Sequence, residues 1–255
     1  MNIAFIGEQR TPSRCGRLDQ ACAFGVKPVH MTFDSNEVGV QTIKLGGTFY
    51  WVIADLKAGK DTVKILADLN KCYPFAQNDK ERAVQEALGA DNREYIEKGV
   101  RLLEEGDAKG LGELMRTVQE NFDKKVAPAC PSQLKSPVLH SVLSDKELDK
   151  WIYGAKGVGS QGDGTVQLLA KDEECQKAVI DYLSNVRGME AFPLTLKPKQ
   201  AVRKAVIPVA GFLRRLFFPW RALEPDFTLR QRQSRRIFFR FSIRMGSSSR
   251  LSWCF

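Results

Sequence analysis

The chain has 255 residues, of which 43% are hydrophobic, enough apolar material for one large globular domain or two small ones. Its apolar runs fall short of the roughly 18 residues that a membrane-spanning helix needs, and its first residues lack the basic flank of a signal peptide. The formal charge of +9 lies in the tail, because residues 199–255 carry 13 basic and 2 acidic residues. Residues 1–198 carry 26 basic and 28 acidic residues, and this near-neutral balance argues against nucleic-acid binding by the main body.

The six cysteines narrow the class of protein further. They are scattered, and no two of them form the C-x-x-C pair that is typical of zinc sites and redox motifs. The simplest interpretation is a set of reduced thiols in a cytoplasmic protein that has no metal site and no membrane partner. The cysteines are Cys15, Cys22, Cys72, Cys130, Cys175 and Cys254.

The first quarter of the chain is predicted to be rich in strands. The segments at 29–34, 38–45 and 48–55 alternate or run apolar with β-branched and aromatic residues, and a short helix is expected near residues 16–24. The adjacent glycines Gly46 and Gly47 predict a hairpin turn. The strands are predicted at residues 2–8, 29–34, 38–45 and 48–55.

From Asp61 onward the spacing of apolar residues becomes that of helices. Helices next to hairpins, without regular alternation of strand and helix, predict the α+β class. A short helix is expected to begin at Pro137, whose ring suits a first helical turn. The other helices are predicted at 63–69, 79–88, 92–104, 107–126 and 172–186, and strands at 151–153, 166–170 and 191–196.

The most informative stretch is Gly154–Thr165, in which five of twelve residues are glycine. Glycine at that density lets the backbone adopt positive φ angles and bring unobstructed N–H groups close to an anion such as phosphate. A strand follows directly, so a tight turn between two strands is the alternative interpretation. The charged segment Asp55–Asp61 also follows a predicted strand, and it is interpreted as a solvated loop.

A second motif stands far upstream, Cys15-Gly16-Arg17-Leu18-Asp19-Gln20. It resembles the C-G-x-x-D-Q element of the GHMP kinases. Gly154–Thr165 resembles the carboxy-terminal glycine-rich motif of that family, G-x-x-x-x-G-x-G-x-G-G, and stands at the matching distance. The resemblance covers residues 1–197, and the form of the first motif is most similar to galactokinase-like sugar kinases that phosphorylate the anomeric hydroxyl.

The resemblance implies both a fold and an activity. The fold would be GHMP-kinase-like, with a partial amino-terminal domain at residues 1–75, a ferredoxin-like α+β domain at 76–198 and a disordered basic tail at 199–255. The activity would be transfer of phosphate from ATP, with Mg²⁺, to a sugar hydroxyl, giving a sugar 1-phosphate in carbohydrate metabolism.

The same resemblance implies the site residues. Asp19 would be the catalytic aspartate, whose carboxylate accepts or orients the proton of the sugar hydroxyl. Its alternative role is that of a helix cap. Cys15, Gly16 and Gln20 support the first motif. The loop that approaches substrate and phosphate would be formed by Gly157, Gly159, Ser160, Gly162, Asp163 and Gly164.

Two features depart from the family pattern. Asp163 stands where the family has a small residue, and a carboxylate there would repel phosphate unless it faces magnesium or solvent. The family also has an ATP phosphate loop, P-x-x-x-G-L-S-S-S-A, before the first motif, and the fourteen residues that precede Cys15 do not match it. We therefore expect an amino-terminally truncated kinase with weak or no turnover on its own.

The tail holds a second resemblance. Residues 203–212 are similar to the opening strand of sugar-phosphate nucleotidyltransferases, and residues 221–227 again resemble that family. The pattern between them is broken, which indicates the degenerate start of such a domain and a fragment of a larger kinase–nucleotidyltransferase. Two alternatives stay open, namely a catalytically inactive remnant and a protein that binds nucleic acid or anionic surfaces through its basic tail.

Overall fold

The computed structural model describes residues 28–34 and 37–198, with short pieces at 6–7, 10, 242–244 and 250–252. Within this part of the chain, no helix combines the length and the apolar character needed to cross a membrane. Ile6 and Gly7 are helical, so the strand predicted at residues 2–8 is wrong at these two positions. The helix predicted at residues 16–24 lies outside the described residues.

The strands of the described residues form three antiparallel sheets. They are β1 (Val29–Asp34), β2 (Glu37–Thr42), β3 (Phe49–Asp55), β4 (Ile152–Gly157), β5 (Thr165–Ala170), β6 (Glu190–Leu196), β7 (Ser242–Arg244) and β8 (Arg250–Ser252). β1 pairs with β2, β7 pairs with β8, and the other four strands form one sheet in the order β4-β5-β3-β6. β3 lies inside the larger sheet, where Ala54 stands opposite both Val166 and Ala191.

Among the described residues, the helices predicted from residue 61 onward are confirmed with small shifts at their ends, and one short helix, Pro131–Leu134, was not predicted. In chain order the helices are α1 (Thr62–Asn70), α2 (Asp79–Glu86), α3 (Asn92–Glu105), α4 (Ala108–Lys125), α5 (Pro131–Leu134), α6 (Pro137–Leu143) and α7 (Glu173–Asn185). A π-helical turn, Ala87–Asp91, joins α2 to α3. The mixture of helices with an antiparallel sheet confirms the predicted α and β content.

Side-chain caps explain where four of these helices begin. In each case an acidic or amide side chain accepts a hydrogen bond from the backbone N–H three residues later, at 2.7–2.9 Å. Such a cap is worth about 1 kcal/mol, because it satisfies one of the free N–H groups at the helix start. The capping residues are Asp61, Asn78, Asp107 and Asp172.

β3 separates two hydrophobic clusters, because its side chains alternate between the faces of the sheet. Val52 and Ala54 face a cluster that α6 and α7 complete. Phe49 and Trp51 face the opposite cluster, which α3 and α4 complete. A third cluster joins α1, α2 and α5 to the end of α4. The sheet is therefore covered by different helices on its two faces.

Helix α4 crosses β4 in direct backbone contact. A Cβ on Gly154 would lie 2.0 Å from the carbonyl oxygen of Gly112, and one on Gly112 would lie 2.4 Å from the Cβ of Tyr153. Gly154, the first glycine of the glycine-rich stretch, is thus required for helix–strand packing. β4 also continues to Gly157, beyond the strand predicted at 151–153.

The hairpin predicted at Gly46 and Gly47 is wrong. β2 ends at Thr42 and does not pair with β3. Instead, Gly46 donates its N–H to the carbonyl of Leu103 at 2.9 Å, and a Cβ on Gly46 would lie 2.1 Å from the carbonyl oxygen of Glu104. These glycines therefore allow the chain to pass close to the end of α3.

Candidate functional site

The second half of the glycine-rich stretch forms a compact loop between β4 and β5, which we call the 158–164 loop. Val158 donates its N–H to the carbonyl of Thr165, and Gln161 donates to the carbonyl of Val158, both at 3.0 Å. Gly159, Gln161 and Gly162 have φ angles of 58°, 58° and 69°. Glycine reaches this left-handed region without steric cost, so Gly159 and Gly162 allow the chain to reverse here.

Lys60 lies across this loop. It belongs to the segment between β3 and α1, and its Nζ donates to the carbonyl oxygen of Gln161 at 2.9 Å. A Cβ on Gly164 would lie 2.8 Å from the Cε of Lys60, and one on Gly162 would lie 3.3 Å from the Cβ of Lys60. The two glycines therefore make room for the lysine side chain.

Burial changes the charge behaviour of Lys60. Removal from water penalises its ammonium form and lowers the pKa of Lys60 to about 8. The side chain still carries its proton for the most part at neutral pH. The loop thus holds a poorly solvated positive charge, which attracts an anion more strongly than an exposed lysine does because the surrounding dielectric is low.

A second lysine, Lys156, lies at the end of β4 where the loop begins. Its side chain is buried, and its Nζ donates to the carbonyl oxygen of Gly157 at 3.0 Å. In the sheet, Lys156 stands opposite Gln167 of β5. Two lysine side chains from different segments therefore approach the backbone of this loop.

Three buried polar atoms belong to the same loop and its exit. Ser160 Oγ, Gln161 Oε1 and Thr165 Oγ1 have no hydrogen-bond partner within the part of the chain that the structure describes. The Ser160 side chain is fully buried. A buried polar group without a partner costs about 1–3 kcal/mol, so these atoms mark a place where a polar ligand or water would be stabilising.

Asp163 has a structural partner. Its Oδ1 accepts a hydrogen bond of 2.8 Å from the backbone N–H of Leu139, in the first turn of α6. The residue before that helix, Ser136, has a φ of 46° and makes no side-chain cap of its own. Asp163 therefore caps α6 from a distance. Its Oδ1 faces the start of a helix, where backbone N–H groups point toward an acceptor.

The backbone N–H of Gly157 is also used in a structural hydrogen bond. Its N–H donates to Oε1 of Gln119 at 2.8 Å, and Nε2 of Gln119 donates to Oδ1 of Asp123 at 2.9 Å. Oδ2 of Asp123 lies 3.1 Å from Nε2 of His140, whose Nδ1 lies 2.9 Å from the carbonyl oxygen of Ser136. A chain of hydrogen bonds thus connects the start of the loop to α4 and α6.

His140 is held between two acceptors in this chain. Burial alone would lower its pKa, but the carbonyl of Ser136 and the carboxylates of Asp123 and Asp163 outweigh that effect and raise the pKa of His140 above its ordinary value. Both ring nitrogens face an oxygen, so the imidazolium form satisfies both contacts. The network is therefore strongest when His140 carries a proton.

The site residues predicted from the sequence fall into three groups in the structure: those that shape the loop, those that attach it to helices, and those outside the described residues. Gly159, Ser160, Gly162 and Gly164 shape the loop, while Gly157 and Asp163 hold it to the neighbouring helices. The residues of the upstream motif, Cys15, Gly16, Asp19 and Gln20, lie outside the described residues.

Sequence reasoning missed the two lysines. Lys60 lies in the charged segment Asp55–Asp61, which was interpreted as a solvated loop, and the structure corrects this at Lys60. Lys156 stands inside the glycine-rich stretch itself. A lysine next to closely spaced glycines was the one signal that could have pointed to it. Among the described residues, no group of three or more His, Cys, Asp or Glu side chains is placed to hold a metal ion.

Comparison with known proteins supports the fold. No protein-family profile matches the sequence, and no curated protein matches it either. Among solved structures, the mevalonate kinase of L. major in complex with R-mevalonate is similar at a TM-score of 0.57 with 20% identity. That match covers 78% of this chain and 57% of the mevalonate kinase. At this identity the likeness concerns the fold alone.

Two further structures match at TM-scores of 0.47, and the fold likeness does not depend on them. The phosphomevalonate kinase of Streptococcus pneumoniae is 14% identical over 63% of this chain and 44% of its own. The galactokinase of Lactococcus lactis, complexed with galactose, is 13% identical over 72% and 54%. The matches therefore span between 44% and 57% of the length of these three kinases.

Proposed function

We propose that the 158–164 loop binds the phosphates of ATP. We further propose that the protein takes part in transferring a phosphoryl group to a hydroxyl of a sugar, which gives a sugar 1-phosphate. The observation that carries the proposal is the partly buried ammonium of Lys60 held against the backbone of a glycine-rich loop. The fold likeness to mevalonate kinase and the two motifs that resemble those of GHMP kinases support the same class of reaction.

The residues at the loop fit an anionic ligand. Lys60 and Lys156 supply positive charge, and the backbone at Gly159 and Gly162 has the left-handed geometry in which successive N–H groups converge on an anion. Ser160 adds a hydroxyl that lacks a partner among the described residues. Asp163, which would oppose an anion, is engaged by the start of α6.

Each residue then has a separate part in the reaction. Phosphoryl transfer depends mainly on positioning and on stabilising the negative charge of the phosphoryl oxygens. Lys60 would neutralise that charge, and loop N–H groups and Ser160 would hold the phosphates in place. Asp19 would orient the sugar hydroxyl and accept its proton. ATP, when bound with Mg²⁺, would supply the phosphoryl group.

The proposal extends to the organisation of the chain. The larger sheet has the strand order β4-β5-β3-β6. Helices stand between β3 and β4 and between β5 and β6, and this order supports a ferredoxin-like β-α-β-β-α-β unit. In this proposal β3 belongs with the domain at 76–198, because it pairs with β5 and β6. Four points stay predictions. They are the partial domain before β3, the origin from a truncated kinase–nucleotidyltransferase, the cytoplasmic location and the lack of a nucleic-acid partner.

Calorimetric titration with Mg-ATP at neutral pH tests the proposal on the full chain. The wild type should bind, and Lys60→Met should weaken binding about tenfold or more, since a charge-assisted contact in a buried site is lost. Lys57→Met is the matched control, because Lys57 lies in the same segment but is exposed and pairs with Glu190 at 2.7 Å. This variant should bind like the wild type.

Turnover is then measured as ADP release in the presence of free sugars. A wild type that does not bind Mg-ATP would overturn the proposal and favour the catalytically inactive remnant. Equal losses in the Lys60 and Lys57 variants would show that general charge, not the loop, attracts the nucleotide. Binding without turnover would support the site and limit the proposal to the nucleotide-binding half of the reaction.

A further inference from the structure

Two side chains of α4, which we call the α4 relay, link the imidazole of His140 to the start of the 158–164 loop. Nε2 of His140 lies 3.1 Å from Oδ2 of Asp123, and Oδ1 of Asp123 accepts from Nε2 of Gln119 at 2.9 Å. Oε1 of Gln119 in turn accepts from the backbone N–H of Gly157 at 2.8 Å. Gln119 is 5% exposed, so water does not readily replace either of its bonds.

The direction of every bond in the α4 relay is fixed by the groups that form it. A backbone N–H can only donate, so Gln119 must present its oxygen to Gly157 and its NH₂ group to Asp123. The carboxylate of Asp123 can only accept, so it requires an N–H on the Nε2 of His140. The α4 relay is therefore complete only when this nitrogen carries a proton.

The second ring nitrogen of His140 faces the other end of the loop. Nδ1 lies 2.9 Å from the carbonyl oxygen of Ser136, directly before α6, and the first turn of α6 donates the N–H of Leu139 to Asp163. A carbonyl only accepts, so Nδ1 must carry a proton as well. A neutral imidazole has a single N–H, so either tautomer leaves one of the two contacts with a lone pair against an oxygen.

The peptide at Gly157 passes the effect of the α4 relay to a lysine of the proposed phosphate site. The N–H of Gly157 is held by Gln119, while its carbonyl oxygen accepts from Nζ of Lys156 at 3.0 Å. Rotation of this glycine would therefore move the acceptor that places the Lys156 ammonium.

We propose that His140 is a positioning residue whose proton sets the geometry of the Gly157 peptide and thereby the affinity of the 158–164 loop for Mg-ATP. Loss of the proton releases one end of the loop and weakens binding, so the nucleotide is held more tightly at lower pH. The identity of the ligand rests on the proposed function, whereas the link between His140 and Gly157 does not.

The surroundings of His140 suit such a role. Its side chain is 42% exposed, so it exchanges protons with solvent. The charged groups that face the ring are the carboxylates of Asp123 from α4 and Asp163 from the loop, and both favour the protonated form. Arg187, from the segment after α7, also contacts α6, but its guanidinium pairs with Asp145 at 3.0 Å.

NMR on the nucleotide-free full chain, from about pH 6 to about pH 9, tests the link itself. The ¹⁵N amide signal of Gly157 should titrate with the same midpoint as the ring of His140. In Gln119→Met the ring should still titrate, but the Gly157 amide should no longer follow it. His30→Gln, which changes the other histidine of the chain, is the matched control and should leave both titrations as they are.

Calorimetric titration with Mg-ATP over the same pH range tests the effect on binding. The wild type should lose about fivefold more affinity than His140→Gln as pH rises, because glutamine does not titrate but still offers an amide N–H to Asp123. Both proteins keep Lys60 and bind the same nucleotide, so the ratio of their affinities removes the titration of these groups.

The possible outcomes separate this inference from the proposed function. A Gly157 amide that does not follow the ring of His140 overturns the inference, whatever the nucleotide does. Equal pH dependence of Mg-ATP affinity in the wild type and in His140→Gln overturns it as well. A wild type that binds no Mg-ATP at any pH overturns the proposed function and the effect on affinity, while a Gly157 amide that follows His140 would still support the positioning role.

Discussion

The ammonium group of Lys60 lies 2.9 Å from the carbonyl oxygen of Gln161, a residue at positive φ in the 158–164 loop. The two residues are 101 positions apart in the chain, so the contact exists only in the folded protein. It fixes the partly buried ammonium group of Lys60 against the glycine-rich backbone. Because burial also shifts the protonation of Lys60, the same contact affects both stability and the binding of anions.

Replacement of Lys60 by methionine should stabilise the protein at pH 7 by about 1–3 kcal/mol, because an apolar side chain of similar length replaces a buried ammonium. The folded pKa of about 8 lies below the ordinary value of 10.5. Between these values the unfolded chain binds more protons, so wild-type stability should rise with pH across that window. Urea unfolding from pH 7 to 10.5 measures the difference in unfolding free energy between the wild type and Lys60→Met. This difference should shrink as pH rises. A constant difference would contradict the burial of the charge.

Asp163→Ala should destabilise the protein by about 1 kcal/mol, because it removes the cap of α6. Asp163→Asn keeps an acceptor oxygen for the N–H of Leu139 and should cost clearly less. Neither change should weaken Mg-ATP binding strongly, since the carboxylate is engaged by the helix. Thermal unfolding of both variants checks the first point. An alanine variant as stable as the wild type would remove Asp163 from the capping role.

Gly154→Ala should destabilise the protein by about 3 kcal/mol or more, because its Cβ would enter the backbone of α4 and neither element can move freely. Gly59→Ala is the matched control, since a Cβ at Gly59 meets no atom within 4 Å and its φ is not positive. That change should be neutral or slightly stabilising. Equal unfolding free energies for the two variants would contradict the close crossing of α4 and β4.

The pair of His140 and Asp123 predicts a dependence of stability on pH. The folded pKa of His140 lies above its ordinary value of 6.5, so the stability that its proton supplies is fully present below pH 6.5. It is lost as pH rises through the folded pKa. Titration of the His140 ring signal by NMR should show the raised pKa, and Asp123→Asn should lower it. An unchanged pKa in Asp123→Asn would show that the carboxylate does not support the proton.

Much of the fold could be predicted from local sequence. Asp61, Asp107 and Asp172 stand directly before helices whose apolar spacing is plain, and each caps the helix in the structure. Caps and periodicity act within a few residues, so the sequence itself contains the information. The strands at 29–34 and 166–170 were predictable for the same reason, since β-branched residues cluster there.

The errors came from contacts between distant segments. Gly46 and Gly47 have the local pattern of a turn, but the close approach of α3 decides their role. Lys60 stands in a segment with the local pattern of a solvated loop, yet it lies against Gln161. Asp163 has the local pattern of a residue that would repel phosphate, yet it caps α6. No short-range rule predicts which helix or loop will lie beside a charged residue, so these roles became visible only in the folded chain.

The most direct test of the central claim is a backbone amide map by ¹⁵N NMR with Mg-ATP added at neutral pH. The proposal predicts that the amides of Ser160, Gly162 and Gly164 shift in the wild type and that these shifts disappear in Lys60→Met. The amide of Gly106, which lies against Gly46 near the opposite end of β3, should be unaffected in both. Shifts that avoid the loop, or that persist unchanged without the ammonium of Lys60, would contradict a phosphate site at this position.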